Sequence, residues 1–181
     1  MEEVMRIRQC EKIDIPNLAT LYCACFAEPP WYEVFDAAMV EAEFLDYLAM
    51  PDAAFLLAED EGGIIGCSLG FALGRKPEVA RLVVAPWDSA FYLSELFVAR
   101  DRRHQGVARR LVTLRFVGAR SRGFRRAVVR TSIDQPIIRR LYARLGFIEL
   151  ARQEVLSVKG IQGVVTDQSD QRVILGGLIP V

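Results

Sequence analysis

LSELFVARDRRHQGVARRLV, residues 93–112, holds the transition that decides the fold. Its first part belongs to the run Phe91 to Val98 (FYLSELFV), apolar at successive positions as in a strand covered on both faces near the centre of a sheet. Its last part opens a helix from about Gln105 to Ser121, with Val107, Leu111, Leu114 and Gly118 along one side and Gly123 at its end. Between them lies a basic turn, Arg100 to His104. A strand that hands a glycine-containing turn to a helix makes an anion site, because the first N–H groups of a helix lack intrahelical acceptors and the helix dipole is positive there. Gly106 and Ala108 leave the backbone bare, so a diphosphate can approach the N–H groups of residues 104–108, and Arg103, Arg109 and Arg110 add positive charge.

Upstream, Val4 to Cys10 alternates as a strand, and Asp14 ahead of Ile15-Pro16 starts a helix with Leu18, Leu21, Tyr22, Cys25 and Phe26 at helical spacing. Glu28-Pro29-Pro30 stops that helix; Asp36 opens a second, with Val40, Phe44, Tyr47 and Leu48 on one stripe, closed by Pro51. Two apolar runs, Ala53 to Ala58 and Ile64 to Leu73, flank Glu59-Asp60-Glu61-Gly62-Gly63 and predict a hairpin. Residues 75–90 read as a loop with a short apolar stretch. Downstream, Ala127 to Ser132 predicts a strand, and Asp134 caps a helix that has Pro136 in its first turn and runs to Leu145 before Gly146. Phe147 to Val158 and Arg172 to Leu178 predict closing strands joined by a Gly/Asp/Gln/Ser-rich loop. This order is an α/β layout with two late strand-helix-strand crossovers, and 181 residues suit one domain.

Composition, 52% hydrophobic and 25% charged, is that of a globular protein. No stretch reaches the ~18–20 apolar residues of a membrane span, and the acidic start Met1-Glu2-Glu3 is unlike a signal peptide, so a soluble cytoplasmic protein with no membrane partner is expected. Cys10, Cys23, Cys25 and Cys67 lack metal-ligand spacing and read as buried thiols; with His104 as the single histidine, no metal site and no histidine-based triad is expected. Net charge is zero, with 23 basic and 23 acidic residues, which argues against a nucleic-acid partner. Eleven arginines between Arg100 and Arg130 could contact phosphates, but the interleaved Val, Leu and Phe mark much of that stretch as core. The zero hides a split: residues 1–99 carry 6 basic and 17 acidic side chains, residues 100–181 carry 17 and 6. The expected consequence is a bipolar surface across the central strand.

Arg103-His104-Gln105-Gly106-Val107-Ala108 fits the pattern Arg/Gln-x-x-Gly-x-Gly/Ala after a strand ending Leu96-Phe97-Val98, and Leu141-Tyr142-Ala143-Arg144-Leu145-Gly146-Phe147 is a second hallmark some thirty residues on. On these residues, and on the element order of residues 4–178, the sequence resembles the GNAT superfamily of N-acetyltransferases. The resemblance implies a single domain over residues 1–181: a mixed, mostly antiparallel sheet of about six or seven strands, splayed at its centre, flanked by about four helices. It implies acetyl-coenzyme A (acetyl-CoA) as acetyl donor, a primary-amine acceptor and direct transfer in a ternary complex. Family members are often dimers, which leaves a homodimer open. The other reading is a non-catalytic acyl-CoA-binding regulatory module of the same fold.

By resemblance, Leu96, Phe97 and Val98 line the pantetheine arm, a Val98-position N–H polarises the thioester carbonyl, and Arg103, His104, Gln105, Gly106, Val107, Ala108 and Arg109 surround the pyrophosphate. Tyr142 matches the general acid that protonates the departing thiolate; the bland alternative is a core tyrosine on the stripe Ile138, Leu141, Tyr142, Leu145. Glu95 stands in an otherwise apolar strand, where a carboxylate is costly unless paired, protonated or in a polar cavity. It reads either as base or amine anchor or as half of a salt bridge to an arginine of the following helices. Gln135 stands where the family often has a cofactor-holding asparagine, Ile138 where it has a small residue, and His104 where it has a glycine. Trp31 and Tyr32, after the stiff Pro29-Pro30, lie in the loop that lines the family's acceptor site; a rigid turn packed on the core is the other account.

Overall fold

A computed structural model describes residues 5–180. Val4, the expected start of the first strand, lies outside them. Seven strands form one sheet: β1 (Arg6–Gln9), β2 (Ala54–Asp60), β3 (Gly63–Ala72), β4 (Phe91–Val98), β5 (Arg126–Ser132), β6 (Ile148–Ile161) and β7 (Val164–Leu178), in the order β1-β2-β3-β4-β5-β7-β6. Every neighbouring pair is antiparallel except β4 and β5. The helices are α1 (Ile15–Phe26), α2 (Ala37–Leu48), α3 (Pro77–Ala80), α4 (Val107–Ser121) and α5 (Pro136–Arg144). The short α3 and a 3-10 turn, Leu73–Arg75, occupy part of the segment expected as loop.

The two faces of the sheet bury alternate residues. Leu57, Leu69 and Phe97 pack against Leu18 of α1 and Phe44 of α2, while their neighbours Leu56 and Val98 pack against Val107 and Leu111 of α4. Leu93, Phe116, Tyr142 and Phe147 continue the second side towards α5. Each fully buried Leu or Phe contributes roughly 1.5–3 kcal/mol. Asp36 caps α2 as expected, accepting from Met39 N at 3.0 Å. Asp14 instead turns its carboxylate to Arg8 (2.7 and 2.8 Å) and to Glu11 N. Asp134 does not cap α5; Gln135 occupies that position without a side-chain bond.

The polar segment before Arg172 is strand rather than loop. β6 and β7 pair from Ile148↔Gly176 out to Ile161↔Val164 and turn at Gln162-Gly163, where φ is 51° and 80° as a tight hairpin turn requires. Most of the outer β7 residues face solvent, so no alternation of apolar and polar residues marks them as strand.

Two irregularities in β4 shape the centre of the molecule. β4 and β5 pair over Phe91↔Ala127, Tyr92↔Val128 and Leu93↔Val129 and then part. Against β3, the register shifts between Leu69 and Gly70, which face Glu95 and Leu93, so Ser94 is the extra residue of a β-bulge.

Candidate active site

The splay leaves the β5-facing edge of Ser94–Val98 without a strand partner. Ala99 N donates to Ile65 O across the β3 ladder at 2.8 Å, and alternation therefore turns the N–H groups of Leu96 and Val98 the other way, towards the splay. Below the splay, the chain enters α4 through two left-handed residues, His104 (φ 63°) and Gly106 (φ 82°). A side chain on Gly106 would meet open space, so the backbone angle is what selects glycine there. The helix begins at Val107 rather than Gln105, and the N–H groups of His104 to Arg109 donate to no acceptor among the described residues. His104, Gln105 and Arg109 are exposed, Ala108 is half-buried and Val107 is buried. This donor-rich, cationic turn beside an open strand edge fits a diphosphate with an amide-bearing arm, as acetyl-CoA has.

Arg103, expected beside the phosphates, bonds two protein groups. Its Nε donates to Val98 O (3.0 Å) and its Nη1 to Glu28 (2.7 Å), tying the turn before α4 to the α1–α2 loop. In that loop Trp31 is half-buried, packed on Phe26 at 5.6 Å with the Arg172 guanidinium 4.8 Å above its ring. Arg172 also binds Glu33 (2.7 Å) and Asp170 (3.1 Å), and Lys159 binds Asp170 (2.8 Å). Tyr32, with φ 50°, accepts from Gly160 N through its carbonyl, and Val34 N donates to Val158 O. Backbone and ion pairs thus moor the loop to the β6–β7 hairpin.

Glu95 lies half-buried on the α1/α2 side of β4. No lysine or arginine among the described residues forms an ion pair with it, and Ser94 Oγ donates to its Oε1 at 3.1 Å. Burial pushes its carboxyl up to about 7; the Glu43 charge adds to the rise, and the Ser94 hydrogen bond, Lys76 and Arg130 oppose it. Close by, Tyr22 meets Phe35, Phe44 and Phe97 edge-on and Phe26 at a tilt, at 4.5–5.4 Å between ring centroids. Burial first, then the charges of Glu95, Glu33 and Glu43, raise its phenol. Tyr47 donates to Glu43, and burial raises the phenols of Tyr47 and Tyr92, the latter to about 12. The side of β4 facing α1 and α2 is aromatic and acidic.

Tyr142, 1% exposed, lies on α5 among Leu93, Phe116 and Phe147. Its hydroxyl accepts from Arg115 Nη2 at 3.0 Å. Gln135 is half-buried with no side-chain hydrogen bond to a described residue, and Ile138 packs beside Tyr142's cluster. Arg115 of α4 is fully buried, and its Nη1 donates to Leu69 O (3.1 Å) and Glu95 O (2.8 Å). Sequence reading missed it among the other arginines. The available signal was its spacing: Val107, Leu111 and Arg115 stand four apart, on the buried stripe of the helix.

The charge split of the two halves is partly consumed in pairing across them: Asp60 with Arg102, Glu28 with Arg103 and Glu33 with Arg172. Among the described residues no three His, Cys, Asp or Glu side chains gather as a metal site, and no helix is long and apolar enough to cross a membrane. The four cysteines are free; Cys10, Cys25 and Cys67 are buried, and Cys23 is partly so.

Residues 16–147 match the model of the acetyltransferase (GNAT) family. No curated protein matches the sequence. Among solved structures, an N-acetyltransferase from Staphylococcus aureus Mu50 superposes with a TM-score of 0.72 at 15% identity, covering 98% of this chain and 99% of its own. A protein from Salmonella typhimurium, solved with its cofactor acetyl-CoA, gives 0.71 at 16% identity, over 98% and 95%. A ribosomal-protein-alanine N-acetyltransferase from Brucella melitensis gives 0.70 at 17% identity, over 96% and 99%. At these identities the likeness is one of fold.

Proposed function

This chain belongs to the acetyltransferase (GNAT) family, and from that premise we propose that it transfers an acetyl group from acetyl-CoA to a primary amine by direct attack in a ternary complex. The observation that carries the reading is the parting of β4 from β5 after Leu93, on the strand that leads into a turn whose N–H groups have no acceptor among the described residues.

Acetyl-CoA supplies a thioester, an acetyl group already activated for transfer. The N–H groups of residues 104–108 and the Arg109 guanidinium hold its diphosphate, and Leu96, Phe97 and Val98 line its arm, with the Val98 N–H directed at the thioester oxygen. Glu95 binds the incoming ammonium and takes its proton, which a carboxyl at about 7 does near neutral pH. The neutral amine forms the C–N bond, the C–S bond breaks with its electron pair on sulfur, and Tyr142 passes its phenol proton to that sulfur. The proton shed by the new amide nitrogen balances the one Tyr142 must regain. The acidic aromatic wall of Tyr22, Glu43 and Glu95, joined through Phe26 to Trp31, suits a cationic acceptor.

The test is calorimetric titration with acetyl-CoA, then thiol release over a panel of polyamines, aminoglycosides, amino acids and peptides, with Tyr142→Phe as control. Binding and acceptor-dependent release, lost in the variant, is the expected result. Binding without release on any acceptor means a non-catalytic acyl-CoA module, absence of binding removes both readings, and an unimpaired Tyr142→Phe removes that residue from its role.

A further inference from the structure

Arg115 is the most deeply buried charge in the described protein, and no carboxylate forms an ion pair with it. Burying a guanidinium in that way is expensive, and a Leu or Met on the same helical stripe would pack at lower cost. Its three hydrogen bonds are distributed in a telling way. Nη1 donates to the carbonyls of Leu69 and Glu95, which stand opposite each other where the Ser94 bulge interrupts the β3–β4 ladder; Nη2 donates to the hydroxyl of Tyr142. One planar group therefore spans the backbone of the residue read as base and the phenol read as acid, which lie 47 positions apart and on different elements. The Nε–H has no partner among the described residues, so simple satisfaction of core acceptors does not account for all the donors brought into this interior.

We propose, resting on the acetyltransfer reading, that Arg115 is a positioning residue that fixes Glu95 and Tyr142 relative to one another and to the splayed edge between them. By occupying a lone pair of the Tyr142 oxygen, the guanidinium turns the phenolic hydrogen away from itself and leaves it to be donated. When that proton moves to the sulfur as the C–S bond breaks, the negative charge left on the phenol oxygen sits against a permanent cation. The same fork holds the bulge that sets the Glu95 carboxyl on the acceptor side of the strand. Lysine keeps the charge but lacks the fork, and cannot reach both carbonyls and the hydroxyl at once.

Arg115→Lys and the near-isosteric Arg115→Met are each combined with Tyr142→Phe, and kcat, the KM for acetyl-CoA, acetyl-CoA affinity and thermal melting are measured on all variants and the parent. The expected result is a fall in kcat of roughly 10–100-fold in either single Arg115 variant, with KM for acetyl-CoA moving less than about threefold. In the Tyr142→Phe background the same Arg115 substitution should cost several-fold less than in the parent, keeping only the share that acts through Glu95, because groups that act as a unit are not additive. Losses that multiply independently, or an Arg115→Lys enzyme with parental kcat, would overturn the inference and leave the acetyltransfer reading intact. Methionine serves where lysine disturbs folding, since it removes the buried charge; if neither variant melts cooperatively and binds acetyl-CoA, Arg115 is a folding residue and the inference falls. A parent that releases no coenzyme A on any acceptor refutes the functional reading and takes this one with it.

Discussion

Replacing Glu95 by glutamine should stabilise the protein at alkaline pH while removing its activity. The carboxyl sits at about 7 in the fold against 4.5 for an ordinary glutamate, because its burial beside Glu43 penalises the charged form. The unfolded chain gives up this proton at lower pH than the folded one. The stability the protonated group retains in the fold is fully present below about 4.5 and is lost as pH rises through 7. Integrated over that window, the penalty reaches about 3 kcal/mol, of which about 2.5 kcal/mol accumulates between pH 5 and pH 8. Glutamine carries no charge to desolvate and can keep the Ser94 hydrogen bond. Thermal melts of parent and Glu95→Gln at pH 5 and pH 8 should therefore show a difference in Tm, variant minus parent, that grows by roughly 5–10 °C at the higher pH for a domain of this size. Taking the difference cancels the other titrating groups, among them Asp14, Asp52 and Asp60, which their arginine partners hold low. In the same pH series, kcat/KM of the parent should climb through an acid limb near 7 that the variant lacks, because only the carboxylate accepts the ammonium proton. A Tm difference that is flat with pH, or of opposite sign, would refute the desolvation account of Glu95. An intact limb in the variant would refute its role as base.

Three further outcomes are expected. Gly106→Ala places a side chain at φ 82°, a strain of about 1–2 kcal/mol that the turn can relieve by losing its N–H cradle, so calorimetry should give an acetyl-CoA Kd about tenfold weaker, and an unchanged Kd would deny the turn its role. Gly70→Ala sets a Cβ 2.3 Å from Phe91 Cε1 and 2.7 Å from the Tyr92 carbonyl, beside the bulge; overpacking of about 1–3 kcal/mol should lower Tm by several degrees in calorimetric melts, and a parental Tm would count against the register described. Trp31→Ala removes the platform beneath Arg172 and the contact with Phe26, so steady-state kinetics should show the acceptor KM rising several-fold with that for acetyl-CoA unchanged; equal effects on both would make the loop a general support.

The residues of 93–112 carried most of what could be read without a structure. An apolar run, a glycine-bearing basic turn and an amphipathic helix are local patterns with their own periods, and their order around residue 106 already specifies the strand-turn-helix of an α/β fold, with an anion site as the expectation it raises. Glu95 stood out for the same reason, as a charge in an apolar strand. The outer half of β6–β7 was illegible because its polar residues face solvent, where hydrophobic alternation has nothing to record. What the chain does with its charges was decided only in three dimensions. Two arginines of the same basic stretch show it: Arg103, expected beside the phosphates, bonds Glu28, 75 residues away, and Arg115, one of the eleven between Arg100 and Arg130, goes into the core to meet Leu69, Glu95 and Tyr142. Periodicity follows from the backbone geometry of each residue and its near neighbours, so sequence determines it. Whether a guanidinium ends in water, on a carboxylate or against two carbonyls and a phenol depends on which distant elements the packing brings to it, and that belongs to the tertiary structure alone.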